Sequence, residues 1–336
     1  MLFYKNLDEI IFSKNEFIEC DELVIISGYV GPNPIRRLQK LPIKSTVIYG
    51  MYGCDGIQQS LHTALLNANN ELNNVTIFYS LMPVHAKCYI WKYEGKVKSA
   101  LVGSANFSNN GLLTPYKEIL ADASTDTFKP LDGYLNKILE NTISCSDAVV
   151  KENKRKCHKN INQDAKDYDK DVCEMPLYII RKGKPMVPEK SGVNWGMGAM
   201  GGSHVNINDA YIPIRTAFLK QYPLMFPPKQ ICPKGEAPRA KHRHNDNIEI
   251  IWDDGTTMEG LLEGNAIKEL NGRKGLYPKQ IASTPNKAEL GIYLRKRMGI
   301  AEGHLITYED LKRYGRTTID VSLQGEGVYY FDFSVK

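Results

Sequence analysis

No apolar run in the sequence reaches the roughly 18 residues needed to cross a bilayer. The opening stretch MLFYKNLDEI lacks the apolar core of a signal peptide, so a cytoplasmic location and no membrane partner are expected. Cysteine occurs seven times, at 20, 54, 88, 145, 157, 173 and 232, an odd number without a CxxC pair. That spacing gives neither a disulfide framework nor a zinc site, and Cys157-His158 stands alone. There is no GxxxxGK[ST] phosphate loop, and no PD-(D/E)xK or HNH arrangement for a magnesium-dependent reaction. No metal and no other cofactor is expected.

What is present is a chain of 336 residues, 42% apolar and 24% charged, which suits about two globular domains. Its charge is uneven: 13 basic against 15 acidic residues in 1–150, 7 against 6 in 151–175, and 23 against 17 in 176–336. The last portion carries the positive field and is the better candidate for a polyanion.

In 1–150, apolar runs alternate with helical patterns. Residues 23–30, 45–49 and 75–79 read as buried strands, with helices over 34–41 and 56–67 between them, which predicts a largely parallel sheet. Residues 131–143 read as an amphipathic helix closing this domain.

The chain is organised around 84–112, VHAKCYIWKYEGKVKSALVGSANFSNNGL. His85 and Lys87 sit two apart in an alternating run, so both side chains share one face of a strand. Glu94-Gly95 is a turn signal, and a second run over 97–102 completes a hairpin ending at Gly103. Ser104 and Asn106 follow at the strand end. An imidazole, an ammonium, a hydroxyl and an amide brought together offer one nucleophile and several donors, which suits a phosphate.

These residues resemble the phospholipase D signature HxK(x4)D(x6)GSxN at His85, Lys87, Gly103, Ser104 and Asn106. Lys92 stands where the signature has Asp, and the spacer to GSxN is longer. That departure and the following NFSNNGL resemble the restriction endonuclease branch (BfiI and NgoFVII types), in which a downstream Glu completes the site. Glu118 is the position that fits. The resemblance implies an α/β phospholipase-D-like catalytic and dimerisation domain over 1–150, with a strand at 118–123. Residues 151–175, nearly without apolar residues over 151–171, read as a charged linker.

From 176 onward the texture is short strands punctuated by Gly and Pro: 177–180, 210–214, 248–252, 257–262, 291–294, 317–323 and 328–333, which suggests a mainly-β barrel. Thr307 and Asp310 form a capping-box pattern ahead of a short helix ended by Gly315. Strand, ITYEDLKRYG, strand resembles the B3-like DNA-recognition pseudobarrel of some restriction enzymes. Two polar stretches here carry what base edges need. The first offers Arg181, Lys182, Lys184, Lys190, Asn194 and Trp195; the second offers Arg273, Lys274, Tyr277, Lys279 and Gln280. A third basic cluster, 239–244, suits phosphates.

The resemblance implies a restriction endonuclease acting on specific double-stranded DNA without metal. His85 would attack phosphorus to give a phosphohistidine, Lys87, Ser104 and Asn106 would hold the phosphoryl oxygens, and Glu118 would orient and charge-balance a histidine. In-line displacement also needs a protonated donor for the leaving oxygen, and the chain has only one HxK. Two copies are therefore expected to place their His85 residues across a two-fold axis, flanked by 109–115. The resemblance also allows a separately encoded ATPase subunit. The alternative is a DNA-binding or scaffold protein with a degenerate catalytic domain, argued by Lys92; a lipid-acting enzyme is a third reading.

Overall fold

The computed structural model describes residues 1–150, 172–201, 205–229 and 245–335. They divide into two units, 1–150 with 324–328, and 172–323 with 329–335. The linker candidates 151–171 and the basic cluster 239–244 lie outside the described residues. Among the described residues, no helix is long and apolar enough to cross a membrane.

The first unit is built on strands β1 (Leu2–Phe3), β2 (Glu22–Ser27), β3 (Lys44–Tyr49), β4 (Val75–Ser80), β5 (Lys87–Tyr93), β6 (Lys96–Gly103), β7 (Leu120–Asp122) and β8 (Thr142–Ser144). They form one sheet in the order β1-β7-β6-β5-β2-β3-β4-β8. The first half of the βαβ expectation holds, since β2–β3 and β3–β4 are parallel. The rest of the sheet is antiparallel, so it is mixed rather than largely parallel. The cause is connection length: residues 81–86 are too few for a helical crossover, so β5 enters antiparallel against β2.

The closing helix is Phe128–Leu139, shorter than the apolar pattern suggested. The Thr-Ile pair that follows joins β8 and extends the sheet beside β4. β-branched residues fit the pleat better than the helix. Leu135 and Ile138 of this helix are fully buried against Val24, Ile26, Ile48 and Ile90, a core layer on one sheet face.

The second unit is built on β9 (Val172–Pro176), β10 (Ile179–Arg181), β11 (Lys184–Met186), β12 (Ile212–Pro213), β13 (Asp246–Trp252), β14 (Thr257–Glu263), β15 (Ala266–Leu270), β16 (Arg273–Tyr277), β17 (Gln280–Ser283), β18 (Thr318–Gly325) and β19 (Val328–Asp332), the turn-proximal ends of the last two falling in the first unit. Seven of them form a barrel-like sheet in the order β12-β17-β14-β13-β19-β18-β9. Its interior is filled by Ile250, Trp252, Ile281, Ile319, Val321 and Phe331, among others.

The run expected as a strand over 291–294 lies instead within the helix Ala288–Met298. A short apolar run is ambiguous by period alone. Here Leu290, Leu294 and Met298 recur at helical spacing and are buried, Arg295, Lys296 and Arg297 lie in the last turn, and Gly299 closes it at φ 68°. The capping box at Thr307 and Asp310 is formed in full, and Gly315 ends that helix with φ 98°.

Candidate active site and nucleic-acid interface

Three neighbouring strands aim the chemistry at one edge of the first sheet. β2 ends at Ser27, β5 begins at Lys87 directly opposite it, and β6 runs back beside β5 to end at Gly103. His85 therefore enters, and Ser104 and Asn106 leave, at the edge where β2 finishes. The β6–β7 crossing is tight: a Cβ on Gly103 would lie 2.1 Å from the Ile119 carbonyl oxygen. Glycine is required at this position of the GSxN stretch.

Lys87 is buried, 6% exposed, and its Nζ lies 3.0 Å from His85 Nδ1, 3.1 Å from Nε2 and 2.7 Å from the His85 carbonyl oxygen. An ammonium only donates, so a ring nitrogen facing it must lack a proton. His85 itself is exposed, but partial desolvation, and then the Lys87 charge, push its imidazolium below its usual range, while Asp55 and Glu326 partly restore it. Burial likewise lowers the Lys87 ammonium. The His85 shift favours a neutral imidazole. Gly28 makes room for this pair, since a Cβ there would lie 3.0 Å from His85 Cδ2 and 3.3 Å from Lys87 Nζ.

Asn106 is oriented from behind. Its Oδ1 accepts from the Tyr29 backbone N–H at 3.2 Å, which fixes the amide with Nδ2 as its donor. The Ser27 hydroxyl has one proton and donates it to the Tyr29 carbonyl at 2.5 Å, while accepting from the Phe107 N–H at 2.9 Å. Ser104 is exposed, and its Oγ accepts from the Ile119 N–H at 3.1 Å. Glu118 precedes that residue and its field falls on Lys87. Ser27, Tyr29 and Asp55 carried no signal linking them to positions 85 and 106, being far apart in sequence.

Lys92, where the signature has Asp, stands five residues along β5 from Lys87, about 17 Å away at strand spacing. It forms an ion pair with Asp132 at 2.8 Å. The position is remote from the imidazole, so its change of charge does not remove a group from the chemistry.

In the second unit the first arm is a hairpin. β10 and β11 pair Arg181 with Lys184 across Lys182-Gly183, both at positive φ, and Arg181, Lys182 and Lys184 are exposed. Lys190 is exposed as well. Asn194 is not placed to read a base: 1% exposed, it donates to the Pro188 and Ile306 carbonyls and accepts from the Ile306 N–H. Trp195 packs edge-to-face on Tyr211, with Lys287 Nζ 5.1 Å from its ring centre.

The second arm is also a hairpin rather than a loop. Asn271 and Gly272 at positive φ make the two-residue turn between β15 and β16, a signal the sequence carried openly. Lys274 and Lys279 are exposed, and Arg273 pairs by its backbone with Leu270. Tyr277, 4% exposed, belongs to the barrel core, because alternate residues of a strand face inward. Gln280 donates to Glu263 at 2.8 Å, and Lys287 binds the same carboxylate at 2.9 Å, joining Gln280 and Trp195 through a lysine not singled out in the sequence.

Two family models match: residues 5–152 match the NgoFVII restriction endonuclease N-terminal PLD domain, and residues 167–324 match the NgoFVII C-terminal B3-like DNA-binding domain. The chain belongs to the NgoFVII family of restriction endonucleases. Its first unit is a phospholipase-D-like domain and its second a B3-like pseudobarrel, which supports a DNA nuclease with a DNA-binding domain. Among solved structures, NucT from Helicobacter pylori is similar at 20% identity and a TM-score of 0.33, over 43% of this chain and 97% of that one. A polyphosphate kinase from Porphyromonas gingivalis is similar at 13% identity and a TM-score of 0.29, over 41% of this chain and 21% of that one. No curated protein matches the sequence.

Proposed function

We propose that this NgoFVII-family chain hydrolyses phosphodiester bonds of specific double-stranded DNA through a phosphohistidine on His85, without a metal ion, in a site completed by a second copy. The observation that carries the reading is the Lys87 ammonium within 3.1 Å of both His85 ring nitrogens at an edge shared with Asn106. Lys87 supplies the positive charge that stabilises the phosphoryl oxygens as displacement proceeds, and Asn106 Nδ2 adds a neutral donor.

In the first step a neutral His85 nitrogen bonds to phosphorus, and the P–O bond to the departing strand breaks. The leaving oxygen takes a proton from an imidazolium, and a single imidazole cannot be nucleophile and acid at once. The second His85 of a two-fold dimer meets that need. Water then attacks the phosphorus, the P–N bond to His85 breaks, and the proton water loses goes to the imidazole that served as acid in the first step. Glu118 serves to hold Lys87 charged and in place. In the second unit, the exposed basic residues of the two hairpins grip DNA.

Incubating the protein with a defined plasmid in excess EDTA tests the reading. Discrete fragments from the wild type and none from His85→Ala support it; fragments that require added magnesium would overturn it.

A further inference from the structure

The loop after β2 and the short helix after β3 each supply one member of a pair of side chains that the chemistry above leaves unused. Tyr29 donates its hydroxyl to Asp55 Oδ2 at 2.6 Å, and Asp55 ends the short helix Tyr52–Asp55. A bond this short between a phenol and a carboxylate is charge-assisted and directional. The Tyr29 ring packs edge-to-face on the His85 imidazole, with centroids 5.9 Å apart and planes at 78°. Tyr49 flanks the same phenol ring at 6.3 Å. The Tyr29 backbone is held on both sides, its N–H by Asn106 and its carbonyl by Ser27. One residue thus touches His85 with its ring and Asn106 with its main chain.

A tyrosine serving only to fill space does not need its hydroxyl tied to a carboxylate or its ring set against a reactive imidazole. We propose that Tyr29 and Asp55 are positioning residues for His85: Asp55 anchors the Tyr29 hydroxyl, and the Tyr29 ring holds the imidazole in the orientation from which it meets Lys87 and the scissile phosphorus. This rests on the reading of His85 as nucleophile. The imidazole has two rotatable bonds, and Lys87 approaches both ring nitrogens almost equally, so the ammonium alone does not fix the ring plane. An edge-to-face neighbour does.

The pair also bears on charge. His85 is faced by Lys87 at the start of β5, which disfavours an imidazolium, and by the carboxylates of Asp55 and Glu326, which favour one. Asp55 keeps protonation within reach for the copy that acts as acid, against the desolvation and the Lys87 charge that oppose it.

The test uses the full-length protein and the variants Tyr29→Phe, Asp55→Asn and Asp55→Glu. Two readouts are taken: kcat and KM for cleavage of a duplex carrying the mapped site, and the His85 imidazole titration followed by nitrogen-15 NMR, assigned with His85→Gln. Tyr29→Phe and Asp55→Asn should lower kcat roughly 10- to 100-fold, the size of effect that misplacing a reacting group produces. KM should not change. Asp55→Glu should recover part of the loss, and the His85 midpoint should move to lower pH in Asp55→Asn. Wild-type kcat in both Tyr29→Phe and Asp55→Asn, or an unmoved His85 midpoint in Asp55→Asn, would overturn the proposal. Should Asp55→Asn fail to fold, Tyr29→Phe, which removes a single hydroxyl, decides through kcat alone. A wild-type protein that does not cleave DNA at all would instead end the nuclease reading, and the titration would still decide the positioning claim.

Discussion

The Lys87 ammonium lies against the His85 imidazole, 3.0 Å from one ring nitrogen and 3.1 Å from the other, with both residues delivered by the same strand start. A cation so placed keeps the ring neutral and waits where a phosphoryl group would bring negative charge. Lys87→Ala should lower kcat by roughly 100-fold or more, the scale of losing one preorganised transition-state donor. DNA affinity, measured by gel shift with uncut substrate, should change little. Equal losses in affinity and rate would place Lys87 in binding instead.

Because desolvation and Lys87 push the His85 imidazolium down, the neutral ring that the proposed attack requires persists to lower pH than an ordinary histidine allows. Cleavage should fail at acid pH, below the usual histidine range. It should also decline at high pH, as the imidazole needed as acid loses its proton. In the proposed two-fold dimer the two limbs belong to the coupled pair of imidazoles and not to either ring. A kcat that rises without limit toward alkaline pH would argue against an imidazolium donor.

The same direction of shift has a stability consequence. Burial of His62, and partial desolvation of the exposed His85, hold both below the usual histidine value, and His62 Nδ1 lies 3.1 Å from the Tyr79 hydroxyl. Around pH 6.5 and just below it, the unfolded chain binds these protons and the folded chain does not. Stability of the first unit therefore rises with pH through that window and is lost as pH falls. Calorimetry at pH 7.5 and 5.5 should show a lower Tm at the acid pH, and His62→Gln should reduce the difference. An identical Tm at both values would contradict it.

The sheet edge bearing His85, Lys87, Ser104 and Asn106 was legible because a hairpin carries its own register: one turn signal and two alternating runs fix which residues end together. The supporting groups were not legible. Ser27, Tyr29 and Asp55 meet the site through long-range packing that no local spacing encodes. In the second unit the seven short strands pointed to the barrel, but 291–294 went to a helix because apolar runs of that length suit both periods. Asn194 and Tyr277 looked like base readers by residue type alone. Burial turned one into a bracket for the Ile306 backbone and the other into core.

That division among the arm residues is measurable. Substituting Arg181, Lys182 and Lys184 with Ala should weaken DNA binding and flatten its dependence on salt, by a slope of about one for each phosphate no longer neutralised. Asn194→Ala should instead lower thermal stability, by roughly 1–3 kcal/mol for the backbone groups left without partners. A cleaner loss of sequence discrimination in Asn194→Ala, at unchanged Tm, would return that residue to the reading surface.

The nucleophilic role of His85 is decided by trapping its intermediate. The wild-type protein is mixed with end-labelled cognate duplex in EDTA, quenched during the first turnover, and digested for mass spectrometry. The expected product is a nucleotide joined to His85 by an acid-labile, alkali-stable phosphoramidate, formed and lost at rates that match cleavage. Full cleavage without any such adduct, or undiminished cleavage by His85→Ala, would contradict a phosphohistidine mechanism.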